Sequence, residues 1–84
     1  MVNILYFASL REALDTGQEN LELDNQIECV ADLKRLLIER GGQWQQAFTQ
    51  QQSLLVSVNQ QMANDDTLIR DNDEIAFFPP VTGG

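Results

Sequence analysis

Between Cys29 and Arg40 the chain carries one strong amphipathic stripe, and that helix decides how everything else can be arranged. Val30, Leu33, Leu36 and Leu37 recur at i, i+3, i+6 and i+7, which lines them along one side of a 3.6-residue turn. Asp32, Lys34, Arg35 and Glu39 fill the remaining surface, with Lys34 beside Asp32 and Glu39. Gly41-Gly42 supplies the left-handed stop that ends many helices. The start is marked less clearly, because Asp24 and Asn25 lie a turn early and Cys29 is a poor cap. The helix therefore begins between Gln26 and Val30. A helix with one apolar stripe requires one apolar sheet face to cover.

The strands that would make this sheet lie on both sides of the helix. Val2 to Phe7 is rich in β-branched and aromatic residues and has no breaker, with Val2, Ile4 and Tyr6 alternating against Asn3, Leu5 and Phe7. Leu10 to Leu14 predicts a short helical turn, closed by Asp15-Thr16-Gly17. Gln18 to Leu23 alternates, with Leu21 and Leu23 inward and Glu22 outward. After the helix, Trp44 to Phe48 suggests a second short helix within a polar, glutamine-rich connection from Gln43 to Gln52. Leu54 to Asn59 predicts a strand with Leu54, Val56 and Val58 inward and Ser57 outward. Asn59-Gln60-Gln61 is a turn, Met62-Ala63 a very short edge strand, and Glu74 to Phe78 the last strand, stopped by Pro79-Pro80.

The order is strand, strand, helix, strand, short strand, strand. A right-handed crossover from the second strand to the third lets the first and last strands pair in parallel at the sheet centre. The expected class is α+β, a β-grasp (ubiquitin-like) architecture: a mixed sheet of four to five strands with one main helix packed on one face. Residues 1–84 form a single domain, with 79–84 as an extended tail.

Composition narrows the possible functions. Thirteen acidic against five basic residues give a net charge of -8. That balance argues against nucleic acid, which needs clustered Lys and Arg, and against an anionic membrane surface. A basic protein partner is the natural complement, although acidity also simply keeps a small domain soluble. The single Cys29 excludes an internal disulfide framework and implies a reducing, cytoplasmic setting. There is no histidine, so Ser–His and Cys–His nucleophiles are impossible. Cys29 itself reads as a small packed residue, with a helix-terminal reactive thiol as the alternative. A chain so equipped takes part in chemistry as a cosubstrate, and is not a self-sufficient catalyst.

The remaining chemistry lies at the end of the sequence, Phe78-Pro79-Pro80-Val81-Thr82-Gly83-Gly84. Two prolines favour extended backbone, so the tail projects from the sheet. Gly83 and Gly84 lack Cβ atoms, and such a backbone can thread a narrow channel to present the Gly84 carboxylate to a partner's active site. At average glycine usage a terminal pair arises by chance in roughly 0.5% of chains, which makes coincidence a poor account. At the tail's base Phe7 and Phe78 fall on the face opposite the predicted core, Met62 lies in the short edge segment nearby, and together they suggest a docking patch. The alternative is that the loops at Leu10–Leu14 and Met62–Leu68 cover them. Arg11 is a weaker docking candidate.

Three segments together resemble the MoaD/ThiS family of ubiquitin-like sulfur carriers, along essentially the whole chain. They are Ile4-Leu5-Tyr6-Phe7-Ala8 with Leu10-Arg11-Glu12, then Val58-Asn59-Gln60, and Asp73 through Phe78-Pro79-Pro80-Val81-Thr82-Gly83-Gly84. The Phe-Phe-Pro-Pro element points to the MoaD branch, the small subunits of molybdopterin synthase. Cys29, where a Thr often caps the helix, and the glutamine-rich Gln43–Gln52 are mild departures. The resemblance implies that an E1-like adenylating enzyme (MoeB-like) uses ATP to activate the Gly84 carboxylate, which then becomes a thiocarboxylate. It further implies that Pro79, Pro80, Val81 and Thr82 lie along a large subunit (MoaE-like), where sulfur passes to cyclic pyranopterin monophosphate to build the dithiolene. The assembly implied is a heterotetramer of two small and two large subunits, with no cofactor or metal bound by this chain. A ThiS-like carrier for thiazole synthesis and a ubiquitin-like protein modifier are the alternatives, along with an interaction domain whose tail is inert.

Overall fold

Val2–Tyr6 forms β1, with Val2, Ile4 and Tyr6 buried as the alternation requires. The computed structural model describes residues 1–50 and 54–79; the tail expectations for Pro80 to Gly84 lie outside the described residues. Phe7 ends the strand and becomes the N-cap of α1 (Ala8–Leu14), which starts two residues earlier than the sequence predicts. Leu10 and Leu14 anchor this helix in the core. Asp15, not Gly17, takes the left-handed position that closes it, at φ 53. Its N–H and that of Thr16 donate to the Glu12 and Arg11 carbonyls, satisfying the last turn.

β2 (Gln18–Leu21) pairs antiparallel with β1 and stops two residues short of the expected Leu23. The main helix, α2, runs Val30–Ile38 and buries Val30, Leu33 and Leu37 completely, with Leu36 half-buried. Each such burial is worth about 1.5–3 kcal/mol. Cys29 is indeed the cap position, yet the capping comes from elsewhere. Asp32 Oδ2 accepts from the Glu28 N–H at 3.0 Å and the Cys29 N–H at 3.4 Å. The Val30 and Ala31 N–H groups donate to Thr67 and Asp65 carbonyls of the 63–70 loop. A tertiary contact thus satisfies helix-end donors that no local cap could. The same loop buries Ile69, whose N–H donates to the Glu28 carbonyl at 2.9 Å, and Ile27 packs beneath it.

The second helix expected at Trp44–Phe48 is present and longer than the sequence suggests: Gly42–Gln50 is α3, so most of the glutamine-rich connection is helical. Gly41 at φ 76 ends α2 and its carbonyl receives the Trp44 N–H, so one helix hands over to the next. Glutamine is a good helix former, and Trp44, Ala47 and Phe48 give the segment enough apolar surface to pack. Lys34 reaches beyond its own helix. Its ammonium pairs with Asp65 at 2.7 Å, across the fold, and not with the helical neighbours Asp32 or Glu39.

β3 (Leu55–Val58) turns through Asn59 and Gln60, both at positive φ, into the two-residue β4 (Gln61–Met62). β5 (Glu74–Phe78) falls where the sequence places it. The sheet order is β2-β1-β5-β3-β4, with β1 and β5 parallel at the centre and every other pair antiparallel. All three helices lie on one face, so α2 is the main cover and α1 and α3 extend it. The cover encloses an aromatic cluster. Tyr6, Phe48 and Phe77 pack at centroid separations of 5.2–6.3 Å, and Trp44 meets Tyr6 edge-on at 5.4 Å. At its margin the Tyr6 hydroxyl donates to Glu19 at 2.6 Å and Arg40 makes two bonds to the same carboxylate. Burial, then the hydrogen bond and charge of Glu19, push the Tyr6 phenol well above its ordinary range.

Candidate functional site

With one face of the sheet covered, the other is the place to look for a site. Its residues follow from the register. Leu5 of β1 stands between Gln18 and Ala76, and Ala76 stands next to Ser57, which stands next to Met62. One step along the strands, Phe78 stands beside Leu55, with Phe7 just past the end of β1. The Phe7 N–H still donates to the Phe77 carbonyl at 3.1 Å, which keeps Phe7 next to β5. One step the other way lie Asn20, Asn3 and Glu74. The open face is therefore apolar at the end where β5 leaves the sheet and polar at the other end.

That division has an electrostatic counterpart. On a chain of net charge -8, the strand residues of this face include one ionisable group, Glu74. The other twelve acids are spread elsewhere, leaving a surface that a partner can desolvate while burying little charge.

Phe7 is 46% exposed and Met62 64% exposed, while Phe78 and Pro79 are half-buried. Phe7, Met62 and Phe78 thus share one patch at the base of the tail, and the Leu10–Leu14 segment, folded into the core on the opposite face, does not cover them. The expectation that Ser57 is outward holds for direction but not for exposure: it is 9% exposed, and Ala76 beside it 7%. Both are short side chains overtopped by taller neighbours. Leu5, Leu55, Ala76 and Ser57 belong to the patch and were not named from sequence. The alternation placed Leu5 with Phe7, but only the parallel β1–β5 register joins it to β5 and β3.

Arg11 stands at the corner where β1 ends and β2 begins. It lines a concavity of about 560 Å³ with Ala8, Glu12, Asp15, Thr16 and Gly17. The guanidinium lies over Gly17, where an added Cβ would meet Nε at 2.9 Å. Ala8, at φ 54, makes the sharp bend that separates Phe7 from α1. Cys29 is half-buried and bridged to Leu68, its Sγ 3.6 Å from Asp32 Oδ2. No helix among the described residues is long and apolar enough to cross a membrane.

A mixed sheet with a parallel central pair, helices on one face, and an apolar open face leading into a Pro-Pro-Val-Thr-Gly-Gly tail defines a ubiquitin-like carrier of the β-grasp class. The sequence matches the ThiS family over residues 4–84, and the chain belongs to that family. It is 36% identical over 84 residues to the molybdopterin synthase sulfur carrier subunit of Haemophilus influenzae, covering all of both chains. Among solved structures it is similar to the small archaeal modifier protein 1 of Methanosarcina acetivorans, at TM-score 0.75 and 26% identity over 99% of this chain and 95% of that one. It also shares its fold with a chain in the complex of subunits 1 and 2 of the molybdopterin-converting factor from Helicobacter pylori. There the TM-score is 0.65 and the identity 19%, over 99% of this chain and 97% of that one.

Proposed function

We propose that this chain is the sulfur-carrier subunit of a molybdopterin synthase, acting as a cosubstrate through the Gly84 carboxylate. The observation that carries the reading is the position of the apolar patch: it ends at Phe78 and Pro79, where the reactive tail begins. A domain docked through Phe7, Met62 and Phe78 delivers whatever follows residue 79 into its partner. Six residues, extended at ~3.3 Å each, reach about 20 Å, enough to enter a buried active site. Pro79 and Pro80 stiffen the base of this reach, Val81 and Thr82 contact the channel, and Gly83 and Gly84 pass where side chains cannot.

The chemistry follows from the weakness of a carboxylate as an electrophile. An E1-like adenylating enzyme transfers AMP from ATP to the Gly84 carboxylate and releases pyrophosphate. A donor sulfur then attacks the acyl carbon, AMP leaves, and a C-terminal thiocarboxylate remains. The softer sulfur is the stronger nucleophile: it bonds to a carbon of cyclic pyranopterin monophosphate within a large synthase subunit, and water then cleaves the acyl–sulfur bond, leaving sulfur on the pterin and returning the Gly84 carboxylate; two such transfers complete the dithiolene. This chain supplies docking and reach, and its partners supply acid, base and nucleotide chemistry. The chain binds no cofactor of its own. The same reading takes residues 1–84 as one domain with 79–84 as its reactive arm, a heterotetramer of two small and two large subunits as the assembly, and the cytoplasm as the location. The likeness to the modifier protein favours one second reading, conjugation of Gly84 to lysines of other proteins.

Intact mass measurement separates them. After incubation with the adenylating enzyme, ATP and a sulfur donor, the carrier gains about 16 mass units from exchange of O for S. Conjugates of higher mass without that increment favour the modifier. Normal sulfur delivery by a chain extended past Gly84 with a bulky, untrimmed residue overturns both.

A further inference from the structure

The apolar face continues past Met62. A concavity of about 420 Å³ opens there, bounded by Met62, Leu68, Val58, Ala63 and Arg70. Met62 and Leu68 are 64% and 63% exposed, so two large apolar side chains stand in water at its walls. Exposed pairs of this kind beside a concavity mark contact sites.

Arg70 adds the second observation. Among the described residues the ion pairs use the amino terminus, Lys34, Arg35 and Arg40, and none uses Arg70. The carboxylates around it are already engaged. Asp73 accepts from the Arg70 backbone N–H at 2.8 Å and from the Asn59 side-chain amide at 2.9 Å. Asp71 pairs with the amino terminus and Asp65 with Lys34. Asn59 in turn accepts from the Glu74 N–H at 3.0 Å, which ties the loop to β5. The turn carrying Arg70 is thus firmly held, and its guanidinium has no ion pair at the edge of a hollow where Met62 and Leu68 stand among polar groups, Asn59, Thr67 and Asp73 among them. Arg11, also without an ion pair among the described residues, occupies the diagonally opposite corner of the face.

We propose that Met62, Leu68 and Arg70 form a second docking point, which takes a segment of the large synthase subunit presenting an apolar side chain beside a carboxylate. The proposal rests on the docking-face reading above. The apolar walls take the side chain, and Arg70 meets the carboxylate. On a chain of net charge -8, a partner's carboxylate is welcome only where an unpaired cation receives it, so the pairing fixes register as much as affinity. A second copy of this chain is the wrong occupant, because each copy brings the same net charge.

The test uses the full chain and its cognate large subunit, with affinities measured by calorimetry at low and moderate salt. Arg70→Glu binds about tenfold more weakly, Arg70→Lys stays within about threefold, and Leu68→Ala loses about fivefold. The Arg70→Glu loss shrinks as salt rises, and melting temperatures stay at the parent value because both side chains face water. Phe78→Ala is the control for the face itself. If Phe78→Ala weakens binding while Arg70→Glu and Leu68→Ala bind like the parent, the second docking point is refuted alone. If all three bind like the parent, the docking face falls with it. A loss confined to the adenylating enzyme overturns the assignment to the large subunit.

Discussion

Phe77 and Phe78 are adjacent in sequence and point to opposite faces of one strand, so truncating each in turn separates folding from docking. Phe77 is fully buried, stacked on Tyr6 at 6.3 Å and edge-on to Phe48 at 5.2 Å. Phe77→Ala removes this contact and leaves a cavity, at a cost of about 3–5 kcal/mol. A domain of 84 residues has on the order of 4–13 kcal/mol of stability in total, so the loss takes a large part of it. At roughly 4–8 °C per kcal/mol, the melting temperature falls by at least about 12 °C, and the chain becomes partly unfolded at 37 °C. Phe78 is half-buried on the open face, and its truncation costs about 1 kcal/mol or a few degrees. Its effect falls on binding: an aromatic anchor at an interface centre is worth about 2 kcal/mol or more, roughly a thirtyfold loss of affinity. Circular dichroism melting and calorimetric titration of the same preparations measure both. The reasoning fails if Phe78→Ala lowers the melting temperature as much as Phe77→Ala, with binding lost only in proportion to the unfolded fraction.

Three further outcomes follow from the geometry. Asp15 closes α1 in a left-handed conformation at φ 53, so Asp15→Gly stabilises the domain by about 0.5–1 kcal/mol in urea unfolding, and an unchanged midpoint refutes the strain. Backbone N–H bonds from Glu28 hold the Asp32 carboxyl below its usual value of 3.8. A depressed folded value means stability is present above the unfolded pKa and lost as pH falls through the folded one, so the melting-temperature advantage of the parent over Asp32→Asn at pH 7 disappears in that acid range. A gap independent of pH contradicts it. Arg40 bonds Glu19 and lies 4.4 Å from the ring of Trp44, the sole tryptophan. Arg40→Ala costs about 1–2 kcal/mol, intermediate between exposed and buried pairs, and changes Trp44 fluorescence in the folded state. Unaltered emission rules out the contact.

The class of fold was legible because its signals are periodic and local. Val30, Leu33 and Leu37 recur at helical spacing, Val2, Ile4 and Tyr6 alternate, and Glu74–Phe78 lies between turn residues and a double proline. Helices and strands announce themselves this way whenever one side is buried and the other is wet. The reactive end was legible for a different reason: it depends on residue types in order, Pro-Pro-Val-Thr-Gly-Gly, and on no packing at all.

Everything that depends on distant segments meeting was decided by the tertiary structure. The sequence suggests only a short helix at Trp44–Phe48, and its extension to Gly42–Gln50 depends on Trp44 and Phe48 meeting the aromatic cluster. The N-terminal donors of α2 look uncapped until the 63–70 loop brings the Asp65 and Thr67 carbonyls against them. The apolar patch of the open face is half-visible as Phe7, Met62 and Phe78, yet its centre, Leu5, Ala76 and Ser57, exists only once β1 pairs with β5 and β5 with β3. Arg70 is left without an ion pair among the described residues only because the fold commits Asp71 to the amino terminus and Asp65 to Lys34. A sequence records what each residue prefers nearby; which groups are left without partners is settled only when the chain has closed on itself.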